Sequence, residues 1–244
     1  MGRDHTKENL SRKKTPTNSI SQFILFVEGR NTERSYFNLL KQSCCTVIPM
    51  VVKGHGISSC LDFVNDAMSK FNHFSVTKKK KFAQKWLVFD YDGHKDFPQA
   101  IRLARNNGFR VAFSSMCIEY WFDLHFIEHD GKPIPMVGGS HSKAQINILN
   151  TFINRYNKTA KTKIKLYDDG SKNVETDLFE LMLSINPVTN NRRIIDAYIQ
   201  AEAHHSQKVQ NGCEFNESVT TIYELLRELG VISFNDGSYT VNIK

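Results

Sequence analysis

The hydrophobic positions of the N-terminal half alternate between short continuous runs and helical spacings. Residues 23–27 are apolar at every position, which is typical of a strand buried on both faces of a sheet. This run ends at Glu28-Gly29, and apolar side chains then recur at a helical spacing after the capping segment 31–33. Further strand patterns cover residues 46–52, 86–89 and 109–113, and helical patterns separate them. Strands that alternate with helices predict an α/β fold, with a mostly parallel sheet flanked by helices.

The pattern changes beyond residue 130. A Pro- and Gly-containing loop leads into helical patterns near residues 141–157, 174–184, 188–208 and 217–229, and the turn Asn235-Asp236-Gly237 then predicts a closing β-hairpin. Residues 1–20 are polar and basic without periodicity. We therefore predict a flexible basic arm over 1–20, an α/β domain over 21–130, and a helical C-terminal extension with a terminal hairpin over 131–244.

Composition narrows the class of protein. Hydrophobic residues make up 40% of the chain and charged residues 23%, as in soluble globular proteins. No apolar stretch is long enough to span a membrane, and no apolar leader precedes the first strand. The five cysteines form no C-x-x-C pair, which favours free thiols in the cytoplasm.

The charge of the chain points to a class of partner. A net charge of +7 favours a polyanion such as nucleic acid. One run of consecutive lysines is a candidate contact with it, although a single run is more often a solvated loop. The run consists of Lys78, Lys79, Lys80 and Lys81.

Three acidic residues follow predicted strands. Glu28 comes after the first strand, and Asp90 and Asp92 come after the third. Ligands of open parallel sheets bind at the carboxyl ends of the strands, and residues two apart in an extended segment project to the same side. Clustered carboxylates need a cation, and hard oxygen ligands suit Mg²⁺ or Mn²⁺, which can activate water for phosphodiester hydrolysis. A single strand-end acid is more often a helix cap, but three of them favour a metal site.

Other candidate residues lie nearby in sequence. Glu119 is interpreted as a metal ligand, a base or the partner of a cation such as Arg30, and equally as an acid favoured by a helix dipole. His125 is a candidate for proton transfer, although a lone histidine is more often structural. Arg30 and Lys95 are candidate phosphate contacts. No P-loop and no zinc-ligand spacing is present.

Three segments resemble one protein family. Residues 26–37, Phe-Val-Glu-Gly-Arg-Asn-Thr-Glu-Arg-Ser-Tyr-Phe, resemble the opening "cEG-x-x-TE-x-x-YF" of the RloB-like family. Residues 89–92, Phe-Asp-Tyr-Asp, resemble its "fDxD" segment, and residues 114–126 resemble "SNPcFExWlllHf". The blocks are in order and cover residues 22–127. The chain departs from the pattern at Ser115-Met116, where Asn-Pro is usual, and at Arg30-Asn31, where Glu-Lys is commoner.

The resemblance implies a fold and an activity. The RloB-like family is related to the Toprim fold, whose glutamate and D-x-D motif bind magnesium in nucleases, primases and topoisomerases. It occurs in restriction loci and phage-defence operons, often beside an ATPase. By this resemblance Glu28, Asp90 and Asp92 take the metal positions, and Glu119 takes a family-specific acidic position.

The leading hypothesis is therefore a bacterial anti-phage nuclease that uses Mg²⁺ or Mn²⁺ and cuts RNA, including tRNA, or DNA. The alternative hypothesis is a non-catalytic Toprim-like scaffold that binds nucleic acid or a partner ATPase. Nucleotidyl transfer by the same metal stays open, whereas a phospho-receiver domain would explain neither the helical extension nor the lysine clusters. The oligomeric state is left open between a monomer and a homo-oligomer.

Overall fold

The fold is seen in a computed structural model that describes residues 22–44, 47–51, 59–91, 93–215 and 218–243. The strands are β1 (Gln22–Val27), β2 (Val47–Val51), β3 (Phe82–Asp90), β4 (Arg110–Ser114), β5 (Ile232–Asn235) and β6 (Ser238–Val241). The helices are α1 (Thr32–Cys44), α2 (Cys60–Asn72), α3 (Val76–Lys79), α4 (Phe97–Asn106), α5 (Glu119–Asp123), α6 (His141–Thr159), α7 (Thr176–Leu183), α8 (Arg193–Gln210) and α9 (Ile222–Glu228). The predicted arm over 1–20 lies outside the described residues.

The main sheet has the strand order β2-β1-β3-β4, and each neighbouring pair is parallel. The chain leaves β1 toward β2 and then crosses back to place β3 on the other side of β1. The border between β1 and β3 is therefore the topological switch point, where α/β sheets bind ligands. Strands β5 and β6 form an antiparallel hairpin. The predicted α/β class, with a helical C-terminal extension that ends in a hairpin, is confirmed.

The two faces of the sheet are covered by different parts of the chain. Leu25 and Val27 of β1 belong to a hydrophobic cluster with α1 and the C-terminal helices, whereas Ile24 and Phe26 pack with α2 and α4. This alternation explains why β1 is apolar at consecutive positions, since both of its faces are buried. One cluster thus contains residues from both sides of position 130, so the helical region packs directly on the sheet.

The edge of the sheet at β4 is also occupied. Ser115 donates its backbone N–H to the carbonyl of Val219 at 2.8 Å, and Ser114 forms an antiparallel bridge with Thr220. A segment of the C-terminal half therefore extends the sheet by a short stretch and satisfies part of its free edge. In the part of the chain that the structure describes, no helix is long and apolar enough to cross a bilayer.

Candidate functional site

The switch point brings Glu28 and Asp90 to the same edge of the sheet. The backbone N–H of Glu28 donates to the carbonyl of Val88 at 3.1 Å, which places Glu28 beside the last residues of β3. Asp90 is the final residue of β3, and its Oδ2 accepts a hydrogen bond from the backbone N–H of Ile118 at 3.2 Å. Asp92, the third predicted ligand, lies outside the described residues.

Glu33 is an acidic residue of this edge that the sequence pattern presented only as part of a helix start. It lies in the first turn of α1, where its carboxylate folds back over Gly29 so closely that a Cβ on Gly29 would overlap it. Burial raises the pKa of Glu33 to about 7, and the charges of Glu119 and Glu28 add to the rise. Three carboxylates therefore lie close enough to repel one another.

Glu119 is held in place by a tyrosine from the C-terminal half. The hydroxyl of Tyr167 donates to Glu119 Oε1 at 3.2 Å and lies 2.9 Å from Oγ1 of Thr32. Glu119 is only 2% exposed, so the bond from Tyr167 supplies a polar partner that a buried carboxylate requires. Glu119 begins α5, and its position next to Glu33 makes it part of the acidic edge and not a solvent-exposed helix acid.

A cavity of about 320 Å³ opens over these residues. Its acidic lining residues are Glu33, Asp90, Glu119 and Asp169, and its basic ones are Arg30 and Lys172. An anionic substrate could therefore meet cations here even though carboxylates form the floor.

Lys172 comes from a loop that the start of α1 holds in place. Oγ1 of Thr32 donates to the carbonyl of Lys172 at 3.0 Å, and the side-chain amide of Asn31 donates to the carbonyl of Ser171 at 2.9 Å. The backbone of Lys172 adopts a left-handed conformation with φ of 49°, which is uncommon for a residue with a Cβ and is maintained by these bonds. Its Nζ donates to Oγ of Ser142 at 3.0 Å. The loop thus places one amino group at the cavity.

Cys117 lines the same cavity, but its environment suppresses thiolate chemistry. Burial raises the pKa of the Cys117 thiol well above its ordinary value, and the charges of Glu119 and Asp90 raise it further. A thiol is a nucleophile mainly as the thiolate. The arrangement therefore disfavours a covalent cysteine mechanism.

The structure does not bring His125 to this cavity, which corrects the expectation of proton transfer there. His125 lies just beyond α5, about 9 Å along a helix axis from Glu119 at 1.5 Å per residue. Its Nδ1 hydrogen-bonds the carbonyl of Trp121 at 2.9 Å, and it lines a different cavity. Burial lowers the pKa of His125 to about 4. Its ring is therefore a neutral, buried group.

The four consecutive lysines also lie away from the acids. Lys78 and Lys79 belong to α3, and the run immediately precedes β3, whereas Asp90 ends that strand. Eight residue steps at about 3.3 Å each separate the two ends of β3 by about 26 Å. The lysines at the far end of β3 from Asp90, whose contact with nucleic acid stays a prediction, are Lys78, Lys79, Lys80 and Lys81.

Local contacts explain where these lysines point. The Nζ of Lys78 lies 3.7 Å from the ring centroid of Phe74, and the Nζ of Lys79 donates to the carbonyl of Asn72 at 3.0 Å. Lys80 caps the C-terminus of α3, and the carbonyl of Lys81 accepts a hydrogen bond from the start of β1 at 3.2 Å. The run thus forms the opposite end of the sheet from the cavity.

Of the other predicted basic contacts, Arg30 lines the acidic cavity and is exposed. Lys95 is also exposed, and it lies in the turn between β3 and α4. This turn follows the carboxyl end of β3, so Lys95 is on the same side of the sheet as Asp90. Both residues therefore remain candidate phosphate contacts.

The donor atoms at this edge determine which ions it suits. Among the described residues, no group of three or more His, Cys, Asp and Glu side chains could hold a metal ion. Glu28 and Asp90 supply hard oxygen donors. Burial is the main cause of the raised pKa of Glu33, and the charges of Glu119 and Glu28 add a smaller part that a cation would relieve. Together with the carboxylate of Asp92, these oxygen donors suit Mg²⁺ or Mn²⁺.

Comparison with protein families gives a match over most of the chain. The model of a family described as RloB-like protein matches residues 23–229, which include the four-stranded sheet from Phe23 onward and the loop that carries Lys172. No curated protein and no solved structure matches the chain.

Proposed function

Since the chain belongs to the RloB-like protein family, we propose that it is a divalent-metal-dependent nuclease of a bacterial anti-phage defence system. Its substrates are phosphodiesters of RNA, including tRNA, or of DNA. The single observation that carries this proposal is the acidic edge at the switch point between β1 and β3. Glu33, Asp90 and Glu119 line a cavity there that also has cationic walls, and Glu28 lies at the same edge.

The metal is assigned to Glu28, Asp90 and Asp92. A divalent ion at these oxygens would supply an activated water and neutralise charge that develops on a phosphate. Strand ends are suited to this role because the sheet fixes their backbones, as the hydrogen bond between Glu28 and Val88 illustrates. Glu119, together with Glu33 once it has lost its proton, adds negative charge around the same position, which favours a cation over an anion at the floor of the cavity.

The substrate phosphate is assigned to the cationic walls. Arg30 is exposed at the rim and can make paired hydrogen bonds to phosphate oxygens. Lys172 lines the same cavity on a loop that is hydrogen-bonded to α1. Tyr167 keeps Glu119 in position by hydrogen bonding, so this carboxylate does not need a lysine or arginine partner. Lysines 78–81 are proposed to bind phosphates of a long nucleic acid that lie far from the phosphodiester at the acidic edge.

The test is expression in bacteria followed by sequencing of RNA and DNA ends. The parent chain should create new ends, and Asp90→Asn should not. Asp236→Asn is a matched control, because Asp236 is an exposed acid in the turn of the β5–β6 hairpin. Purified parent and variant chains should then repeat this difference on the identified substrate with Mg²⁺ or Mn²⁺, and a chelator should abolish cleavage.

An opposite result would reject the catalytic proposal. If Asp90→Asn and Glu28→Gln cut as well as the parent chain, these carboxylates are not the metal ligands. If neither the parent chain nor any variant cuts, and the chain binds nucleic acid or an ATPase instead, the scaffold alternative is supported.

A further inference from the structure

A second cavity, of about 550 Å³, lies at the other end of α5 from Glu119. It is bounded by the residues that follow α5, by α6 and by the start of α8. Its apolar walls include Phe126, Phe152 and Ile199, and its charged lining residues are Arg193 and the acids Glu128 and Asp196. The volume is in the range of about 300–1,000 Å³ that is usual for small-molecule sites. Val188 at its rim is 89% exposed, so the apolar lining continues to the surface.

The main feature of this cavity is a buried cation without an acidic partner. Arg193 is 6% exposed and is the only buried lysine or arginine among the described residues. Within that part of the chain, no carboxylate forms an ion pair with it. Its Nη1 donates one long hydrogen bond, 3.4 Å, to the carbonyl of His125, and its Nε is buried without a partner.

Asp196, one of the two acids that line this cavity, is hydrogen-bonded to other side chains. The carboxylate of Asp196 accepts hydrogen bonds from Asn186 and Asn191, at 2.8 and 2.9 Å, and from Thr189 at 2.8 Å. These bonds tie the loop before α8 to that helix. Burial lowers the pKa of Arg193, and the charge of Asp196 offsets only part of this effect. The guanidinium therefore remains a desolvated charge whose missing partner is an anion.

The aromatic walls define the rest of the ligand. The rings of Phe126 and Phe152 are stacked, with centroids 4.5 Å apart, and the guanidinium lies 5.6 Å from the first and 5.3 Å from the second. These contacts compensate the charge in part. They also hold the guanidinium against an aromatic surface that can take a flat apolar group.

We propose that this cavity binds a small organic anion with a planar ring. Its carboxylate or phosphate group lies against Arg193, and its ring packs on the Phe126–Phe152 pair. The cavity differs from the acidic one at the switch point in the sign of its buried charge. Binding here is therefore independent of the metal and of nuclease activity.

Calorimetric titration of the full chain in a chelating buffer tests the proposal. The probes are benzoate and AMP, each compared with a neutral analogue of similar shape, benzamide and adenosine. At least one anion should bind measurably, and its neutral analogue should bind about 10- to 100-fold more weakly, the loss expected for a hydrogen bond to a charged group. Binding of benzoate alone would identify a carboxylate ligand, and binding of AMP alone a nucleotide.

Variants locate the binding. Arg193→Met should weaken binding of the anion by a similar factor. Arg192→Met should leave binding unchanged, because the exposed Arg192 donates to the carbonyl of Leu183 at 2.9 Å and does not line the cavity. The proposal is overturned if neither anion binds at millimolar concentration, if the neutral analogues bind equally well, or if Arg193→Met binds like the parent chain. The comparison of charged and neutral probes on the parent chain needs no variant, so it remains decisive if Arg193→Met fails to fold.

Discussion

The buried carboxyl group of Asp123 predicts a specific dependence of stability on pH. Asp123 lies one helical turn after Glu119, is 1% exposed, and neither of its carboxyl oxygens has a hydrogen-bond partner among the described residues. Burial raises the pKa of Asp123 well above its ordinary value of 3.8, and the charge of Glu119 adds to the rise. The carboxyl group is therefore protonated in the folded chain at pH values where the unfolded chain has lost the proton.

The sign and size of the effect follow from proton linkage. A raised folded-state pKa means that folding takes up a proton above pH 3.8. The contribution to stability is complete below that pH and is lost as the pH rises toward the folded-state pKa. The loss amounts to about 1.4 kcal/mol per pH unit. Asp123→Asn removes this titration. As the pH rises, the free energy of unfolding of the variant should therefore increase relative to that of the parent chain, by about 1.4 kcal/mol per pH unit.

Urea unfolding followed by tryptophan fluorescence measures this difference, because Trp86 and Trp121 are both buried. The series runs from acidic to neutral pH in a chelating buffer, so that no metal ion changes the charge around Glu119. Asp236→Asn should give a profile parallel to that of the parent chain. If Asp123→Asn is also parallel to the parent, Asp123 is ionised in the folded chain and the account of its burial is wrong.

Four further predictions concern the acidic cavity and its surroundings. Gly29→Ala should lower the free energy of unfolding by about 1–3 kcal/mol, because the new Cβ displaces the Glu33 carboxylate, and urea unfolding measures it. Uptake of Mn²⁺ should rise as the pH passes about 7, since the ion displaces a proton from Glu33, and Glu33→Gln should remove this inflection in calorimetry. Lys172→Met should lower kcat/KM for cleavage by about 10- to 100-fold, with exposed Lys165→Met as its control. Replacing lysines 78–81 by glutamine should reduce the salt dependence of nucleic-acid binding, by about 0.9 in log–log slope per lost contact, without changing cleavage of a short oligonucleotide.

Each of these predictions has a result that would contradict it. Unchanged stability of Gly29→Ala would mean that the Glu33 carboxylate moves away at no cost. A pH-independent uptake of Mn²⁺ would remove Glu33 from the ion's surroundings. Equal losses of kcat/KM in Lys172→Met and Lys165→Met would show a general charge effect. If the variant that lacks lysines 78–81 cleaved a short oligonucleotide more slowly than the parent chain, that run would lie closer to the reaction than the sheet allows.

The sheet could be predicted because its strands are buried on both faces. Continuous apolar runs at residues 23–27 and 86–89 identified the centres of β1 and β3. The start of β3 at Phe82 was missed, since residues 82–85 are incompletely buried and include Gln84 and Lys85, which interrupt the apolar run. Pairing of Gln22 with Phe82 across the two strands continues the sheet there, and such pairing leaves no local signal.

The candidate site could be predicted from the sequence only where its residues follow strands. The placement of Glu28 and Asp90 at one edge was predictable because the strand ends of a parallel sheet meet. Glu33 was interpreted as part of a helix start, although its spacing from Glu28 and the intervening Gly29 would have allowed a carboxylate to fold back. Tyr167 and Lys172 come from a distant loop, so only the packing of the helical region on the sheet reveals them.

The position of the four lysines relative to Asp90 depends on the length of β3. The predicted strand over residues 86–89 already places the four lysines before it and Asp90 after it. The distance between them was underestimated, because the predicted strand is shorter than β3. Once β3 is seen to begin at Phe82, the distance along the strand separates the run from Asp90.

Binding of Mn²⁺ to the purified chain tests the central claim most directly. Electron paramagnetic resonance counts the bound ions, and calorimetry measures their affinity. The account predicts that the parent chain takes up Mn²⁺, that Asp90→Asn and Asp92→Asn lose most of this binding, and that Asp236→Asn keeps it. Absence of uptake by the folded parent chain, or equal uptake by all of these variants, would contradict a metal site at the ends of β1 and β3.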